Sequence, residues 1–347
     1  MTATATAIAN PTVTTIGGRH FGVLDGWRAM SILMVLAGHL LPLGPKRFAM
    51  NEAVASGGMA LFFTLSGFLI TTLLLRSPDV PTFLIRRVCR IVPLAWLCCL
   101  IVFIAVGAAA PVWSAHFLFY ANLPPFWLID ATAHLWSLCV EVQFYAGIAL
   151  VVALVGRRGL WLMPVLCLAV TALRVATGEH VSIVTWLRVD EILAGSTLAL
   201  VLARWPRAAA VSSNWPVMLV GLVVLLASGH PEGGPLAYAR PYIAATLVGL
   251  TLCAPATSFS TLLNRRELAY IAKISFALYV IHVGLTTTWL GSGDTAVKYL
   301  KRPLLFAALF GLAHLSTFHF EKRWIDLGHR WSRRPRRLEA PQGDRRD

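Results

Sequence analysis

Long apolar runs recur down the chain with short polar breaks between them. Most are near the length of about twenty residues that carries a helix across a bilayer. Ten helical spans are predicted, at about 24–43, 57–75, 91–110, 134–155, 160–177, 184–203, 215–229, 239–256, 270–290 and 303–321. Several are shorter or more polar than a helix bathed in lipid, which suits helices that line a cavity. The predicted fold is therefore all-α: a polytopic membrane protein of about ten helices around a central cavity.

Polar positions inside these runs form a second pattern. In GVLDGWRAMSILMVLAGHL, residues 22–40, Arg28 and His39 stand eleven positions apart. At about 3.6 residues per turn that spacing returns the side chain to nearly the same face, displaced by roughly 16 Å. Asp25 lies three residues before Arg28 and shares the stripe. The first helix thus has a charged mouth and an imidazole well inside its apolar length. Ionisable groups in such a place mark function by default, and the competing explanation is a core histidine bonded to a neighbouring helix.

Composition agrees with the membrane assignment. Of 347 residues, 57% are hydrophobic and 13% charged, where a soluble domain carries about 25% charged. The net charge of +14 could suggest nucleic acid. However, the basic residues lie in short loops and a tail beside apolar spans, a pattern that sets topology and contacts anionic lipid headgroups. No interleaved aromatic and basic surface accompanies them, so no nucleic-acid partner is expected. Loops after even-numbered spans hold Arg76, Arg86, Arg87 and Arg90, then Arg157 and Arg158, Arg204 and Arg207, Arg265 and Arg266. The loop 111–133 has neither Lys nor Arg. Lys46, Arg47, Lys298, Lys301 and Arg302 dissent, yet the even side prevails and both termini are expected to be cytoplasmic. One membrane domain, 21–329, is expected between a disordered tail at 1–20 and a basic disordered tail at 330–347. The six cysteines form no metal-spaced set and read as small core residues; no metal site is expected.

Four further stretches could carry chemistry. In TFLIRRVCRIVPLAW, Arg87 and Arg90 share a helix face and with Arg28 could form a basic mouth that grips phosphate, whereas Arg86 reads as a topology signal. In GGMALFFTLSGFLIT, Gly58, Ser66 and Gly67 permit close helix approach, and no nucleophile elbow surrounds Ser66. In HLWSLCVEVQFY, His134, Ser137, Glu141 and Tyr145 recur at helical steps. Glu141 there could orient an imidazole, bind acceptor hydroxyls or neutralise an arginine. In KISFALYVIH, Ser275, Tyr279 and His282 share a face; His282 could line an acceptor path or sit satisfied in the core. A neutral imidazole in a dry pocket, as at His39, is a competent general base.

Taken in order over about residues 22–330, these blocks, together with RVDEILAG and FEKRWIDLGHR, resemble the acyltransferase 3 family of bacterial membrane acyltransferases. The Arg28–His39 spacing carries most of the likeness, reinforced by SGFLI and the W-S-x-x-x-E block. The resemblance implies an enzyme of the bacterial plasma membrane that moves an acyl group, often acetyl, from cytoplasmic acyl-CoA to a hydroxyl of a carbohydrate or other acceptor. It implies no resident cofactor, since acyl-CoA is a donor substrate. By this likeness His39 and Glu141 are the catalytic candidates, and Arg28, Arg87 and Arg90 bind the donor. Asp25, Ser137, Tyr145 and His282 are candidate substrate contacts. Two departures stand out: Val142 replaces a second glutamate common in the family, and Val280-Ile281-His282 replaces an aromatic-rich run. The C-terminal SGNH hydrolase-like domain of some relatives is not expected here. A transporter or flippase is the competing function, because ionisable groups on several spans also describe a substrate path.

Overall fold

In the computed structural model, residues 22–205, 214–254 and 257–332 are described, together with the backbone of two paired two-residue strands, Thr15–Ile16 and Arg19–His20. The expected tails at 1–20 and 330–347 lie largely outside the described residues. The helices are α1 (Gly22–Leu40), α2 (Met50–Arg76), α3 (Val80–Val106), α4 (Ala110–Phe117), α5 (Trp136–Val155), α6 (Met163–Thr177) and α7 (Asp190–Arg204). They continue as α8 (Trp215–Gly229), α9 (Leu236–Cys253), α10 (Ser258–Leu263), α11 (Arg266–Thr286), α12 (Thr295–Leu300), α13 (Arg302–Leu315) and α14 (Lys322–Trp331).

Seven helical segments among the described residues are long and apolar enough to cross a membrane, rather than ten. The expected fourth and fifth spans belong to one continuous segment, Asp130–Thr177, in which residues 156–162 form 3-10 turns between α5 and α6. The expected sixth and seventh are the 15-residue helices α7 and α8, short of a full crossing. The last span runs without a break from α13 through a π-helical turn, Ser316–Glu321, into α14. Arg330 and Trp331, expected in the basic tail, close that helix.

Local chemistry sets the ends. Asp79 caps α3 by accepting from the backbone N–H of Thr82 at 3.3 Å, and Pro81 sits in the first turn, where its missing N–H costs nothing. Helix α1 stops at Leu40 just ahead of Pro42, and Asn51 at the start of α2 donates to its orphan carbonyls at Gly38 and Leu41, both at 2.7 Å. This early stop puts His39 in the last turn of α1, at one end of the helix instead of deep within it.

Helix α2 is the central strut and packs against α1, α7, α8 and α9. Its crossing with α7 requires glycine on both sides. A Cβ on Gly67 would meet the Ile192 carbonyl oxygen at 1.8 Å, and one on Gly195 would meet that of Thr64 at 1.9 Å. The sequence-level reading of Gly67 as a packing residue is borne out.

Behind this crossing, buried ion pairs tie α6, α7 and α9 together. Arg174 donates to Asp190 at 2.5 Å and Arg240 donates to Glu191 at 2.6 Å, all four side chains fully buried. Removing one partner of such a pair strands the other charge in the interior. Asp190→Ala should therefore cost about 3–5 kcal/mol. The measurement is thermal unfolding of the detergent-solubilised protein; an unchanged melting temperature would mean that Arg174 is satisfied by backbone carbonyls alone.

Candidate functional site

Helix α1 carries a basic group near one end and an imidazole at the other, and each opens into a different cavity. The smaller, of about 70 Å³, is lined by Arg28, Ser66, Arg87, Arg90, Glu141 and Tyr145, with Phe62 and Ser275 among its other walls. Three arginines from two helices thus meet in one space, as their sequence positions predict. Arg28 is half-buried, and Asp25 lies 3.8 Å from it on the same helix face. Arg86 stays outside, exposed and donating to Ser332 at 3.0 Å.

Glu141 anchors this cavity. Ser66 donates to its Oε1 at 2.5 Å, and the Tyr145 hydroxyl donates to the same oxygen. The Arg87 guanidinium lies 5.7 Å above the Tyr145 ring. A carboxylate here offsets part of the charge of three arginines in a poorly solvated place. The structure brings Glu141 to the arginines and not to His39. Ser66, read from sequence as a packing residue, is a polar member of the site.

The larger cavity, of about 570 Å³, holds His39, His134, Asn51, Glu52, Trp136, Ser182, Arg188 and Tyr279 in its wall. His39 is exposed into it, whereas His282 behind it is fully buried. The two rings lie nearly parallel, with Nδ1 of His39 2.8 Å from Nε2 of His282. Nδ1 of His282 lies 2.6 Å from the Tyr279 carbonyl oxygen. A carbonyl only accepts, so that nitrogen must carry the proton. In the neutral ring the Nε2 of His282 is then a bare acceptor, and Nδ1 of His39 must be the donor. What remains is the Nε2 of His39: unprotonated, aimed away from the pair, and on a cavity wall. The chain of bonds thus prepares one ring to accept a proton.

His134 completes a cluster of three histidines. It precedes α5, on a 3-10 turn (Asp130–Leu135), so the helical stripe expected from His134 to Tyr145 begins at Ser137. Its Nε2 donates to the Val280 carbonyl at 3.3 Å and its ring stands edge-on to His282 at 4.8 Å. Ser137 is fully buried and shares a 2.5 Å hydrogen bond with the Tyr279 hydroxyl, which in turn donates to the His134 carbonyl. Ser137 and His282 therefore position other groups instead of lining either cavity.

Tyr279 and Phe62 stand between the two spaces. Phe62 faces the arginine cavity, Tyr279 faces the histidine cavity, and their rings stack with centroids 6.1 Å apart. One ring of this stacked pair thus borders each of the two spaces. No group of three or more His, Cys, Asp or Glu side chains among the described residues is arranged to hold a metal ion.

The chain belongs to the acyltransferase family whose model, described as an acyltransferase domain, matches residues 21–319. It is 24% identical over 343 residues to the peptidoglycan O-acetyltransferase OatA of Listeria monocytogenes, covering 84% of this chain and 52% of that protein. It is 27% identical over 384 residues to the putative peptidoglycan O-acetyltransferase YrhL of Bacillus subtilis, covering 91% and 57%. The O-acetyltransferase OatA of Staphylococcus aureus is 25% identical over 320 residues, covering 76% and 50%. The chain spans about half the length of these curated relatives. No solved structure matches it.

The hydrogen-bond chain fixes a tautomer that can be read directly. Solid-state NMR of 15N-histidine-labelled protein at neutral pH, assigned with His39→Gln and His282→Gln, should show both rings protonated at Nδ1 and bare at Nε2. A His39 ring protonated at Nε2 would contradict the arrangement.

Proposed function

We propose that this chain is a bacterial plasma-membrane O-acyltransferase that moves an acetyl group from cytoplasmic acetyl-CoA to a hydroxyl of a carbohydrate acceptor. A surface polysaccharide, a lipopolysaccharide sugar or a glycolipid supplies that hydroxyl. The observation that carries the reading is the pairing, along one helix, of a three-arginine cavity with the open Nε2 of His39. Family membership and the names of the relatives support the same chemistry.

The donor's phosphates rest on Arg28, Arg87 and Arg90 at the inner rim, where guanidinium groups bind phosphate oxygens by charge-assisted hydrogen bonds. Glu141, held by Ser66 and Tyr145, orders that rim and offsets part of the repulsion among the arginines. The pantetheine arm runs along α1 for roughly 16 Å, the rise of eleven helical residues, and passes the Phe62–Tyr279 layer. Its thioester then faces His39. The acceptor hydroxyl enters the larger cavity, and Nε2 of His39 takes its proton as the oxygen attacks the thioester carbonyl. A C–O bond forms and the C–S bond breaks. The proton held on His39 passes to the departing CoA sulfur, which restores the starting tautomer. His282 takes no proton itself; it holds the His39 ring with the open nitrogen forward.

Two substitutions separate these roles. His39→Ala should lower transfer by about 10²–10⁴-fold, the usual contribution of a positioned general base, with acetyl-CoA affinity retained. Full activity in a folded His39→Ala protein would remove His39 from the mechanism. Arg90→Ala deletes a charge-assisted contact and should raise the KM for acetyl-CoA about tenfold to a hundredfold, with a smaller effect on kcat. An unchanged KM would place the phosphates elsewhere. Both are measured as thioester consumption in purified membranes.

A further inference from the structure

The larger cavity contains a cation that the transfer step does not use. The ionic cluster across α6, α7 and α9 combines Arg174, Arg188 and Arg240 with Asp190 and Glu191, so it holds three positive groups and two negative ones. Arg174 takes Asp190 and the carbonyls of His180 and Ala237. Arg240 takes Oε1 of Glu191 at 2.6 Å and the Ser228 carbonyl at 3.2 Å. Arg188 is left with the second oxygen of Glu191 at 3.4 Å.

Arg188 is 2% exposed, yet among the described residues its Nε and Nη1 have no hydrogen-bond partner. Nη2 of Arg240 and Oε2 of Glu191 also lack one, but Arg188 alone of the cluster lines the cavity that contains His39. Its guanidinium stacks 5.3 Å from the ring centre of Trp136, another residue of that wall, which fixes its plane. The other charged side chain there is Glu52, which is exposed. A buried guanidinium with unused N–H groups is costly until an anion meets it, and carboxylate and phosphate oxygens are the groups its geometry accepts.

We propose that Arg188 is an anion subsite: it binds a carboxylate or phosphate oxygen on the acceptor and so turns the acceptor's hydroxyl towards His39. The subsite makes this an enzyme for acidic acceptors and rests on the acyl-transfer reading above for what happens next. Arg188 is thus a specificity-determining residue just ahead of α7, on the wall of the cavity that His39 also lines.

Three hexoses that share a ring test it. The purified full chain in detergent is titrated by calorimetry with D-glucose, D-glucuronate and D-glucose 6-phosphate at one ionic strength. One acidic sugar should bind at least about tenfold more tightly than glucose, the value of one charge-assisted contact. Preference for glucuronate points to an acidic glycan, and preference for the phosphate to a phosphorylated or lipid-linked sugar. Arg188→Gln should bring the acidic sugars to the level of glucose, and Arg188→Lys should keep part of the preference. Equal affinities for all three in the unsubstituted protein, or no binding of any, overturn the proposal, and that comparison stands even if the variants fail to fold. A preference that survives Arg188→Gln overturns it too. Acetyl-CoA is titrated in parallel. Protein that prefers acidic sugars but does not bind acetyl-CoA keeps the subsite and loses the acyl-transfer reading; the reverse result removes the subsite alone.

Discussion

The hydrogen bond from Nδ1 of buried His282 to the Tyr279 carbonyl, 2.6 Å long, constrains every later step at the larger cavity. A helix carbonyl cannot donate, so this one bond sets which nitrogen of His282 is bare and, through it, which nitrogen of His39 is bare. The outcome is an imidazole whose open lone pair is fixed without the carboxylate that often performs this duty. A carboxylate beside His39 would instead be drawn to the Arg188 guanidinium, which lines the same cavity and keeps unused N–H groups among the described residues. Glu141, the acid most readily associated with catalysis, sits instead with the arginines, where its charge is needed.

Placement of α1 makes the two cavities parts of one device. Its early residues reach the arginine rim and its last turn carries His39, so a single rigid helix sets the separation between them. The α1 end is tied by Asn51, and the neighbouring α2 is held to α7 through the Gly67–Gly195 crossing. Buried salt bridges then fasten α7 to α6 and α9. Charge in this protein thus holds helices together, gathers three arginines in the cavity proposed for the donor's phosphates, and at Arg188 leaves two N–H groups without a partner among the described residues.

Much of this was legible in the sequence because the relevant patterns are local. The eleven-residue spacing and the Arg87–Arg90 step predict a shared face, and the structure gathers those arginines into one cavity. Boundaries were harder. Residues 156–159, two arginines between glycines, read as a loop, yet they continue the helical segment as part of the 3-10 turns over 156–162. The predicted first span ends at 43, three residues beyond the end of α1, so the pattern places His39 deeper in its helix than the last turn it occupies. What the pattern cannot give is the partner across the bundle. Asp190 and Glu191 find arginines 16 and 49 positions away, and His39 finds its partner 243 positions away. Helical periodicity names the face that a residue occupies and is silent about the helix that it meets. The orphaned nitrogens of Arg188 follow from such pairings and had no signal in the sequence beyond an arginine within an apolar span.

The most direct measurement is a cryo-electron-microscopy structure with a non-hydrolysable thioether analogue of acetyl-CoA bound. The expected density has phosphates against Arg28, Arg87 and Arg90, the Phe62–Tyr279 rings parted by the arm, and the acyl carbonyl beside Nε2 of His39. An analogue bound with its acyl end halted on the arginine side of those rings, or with its phosphates away from the three arginines, would contradict transfer at His39.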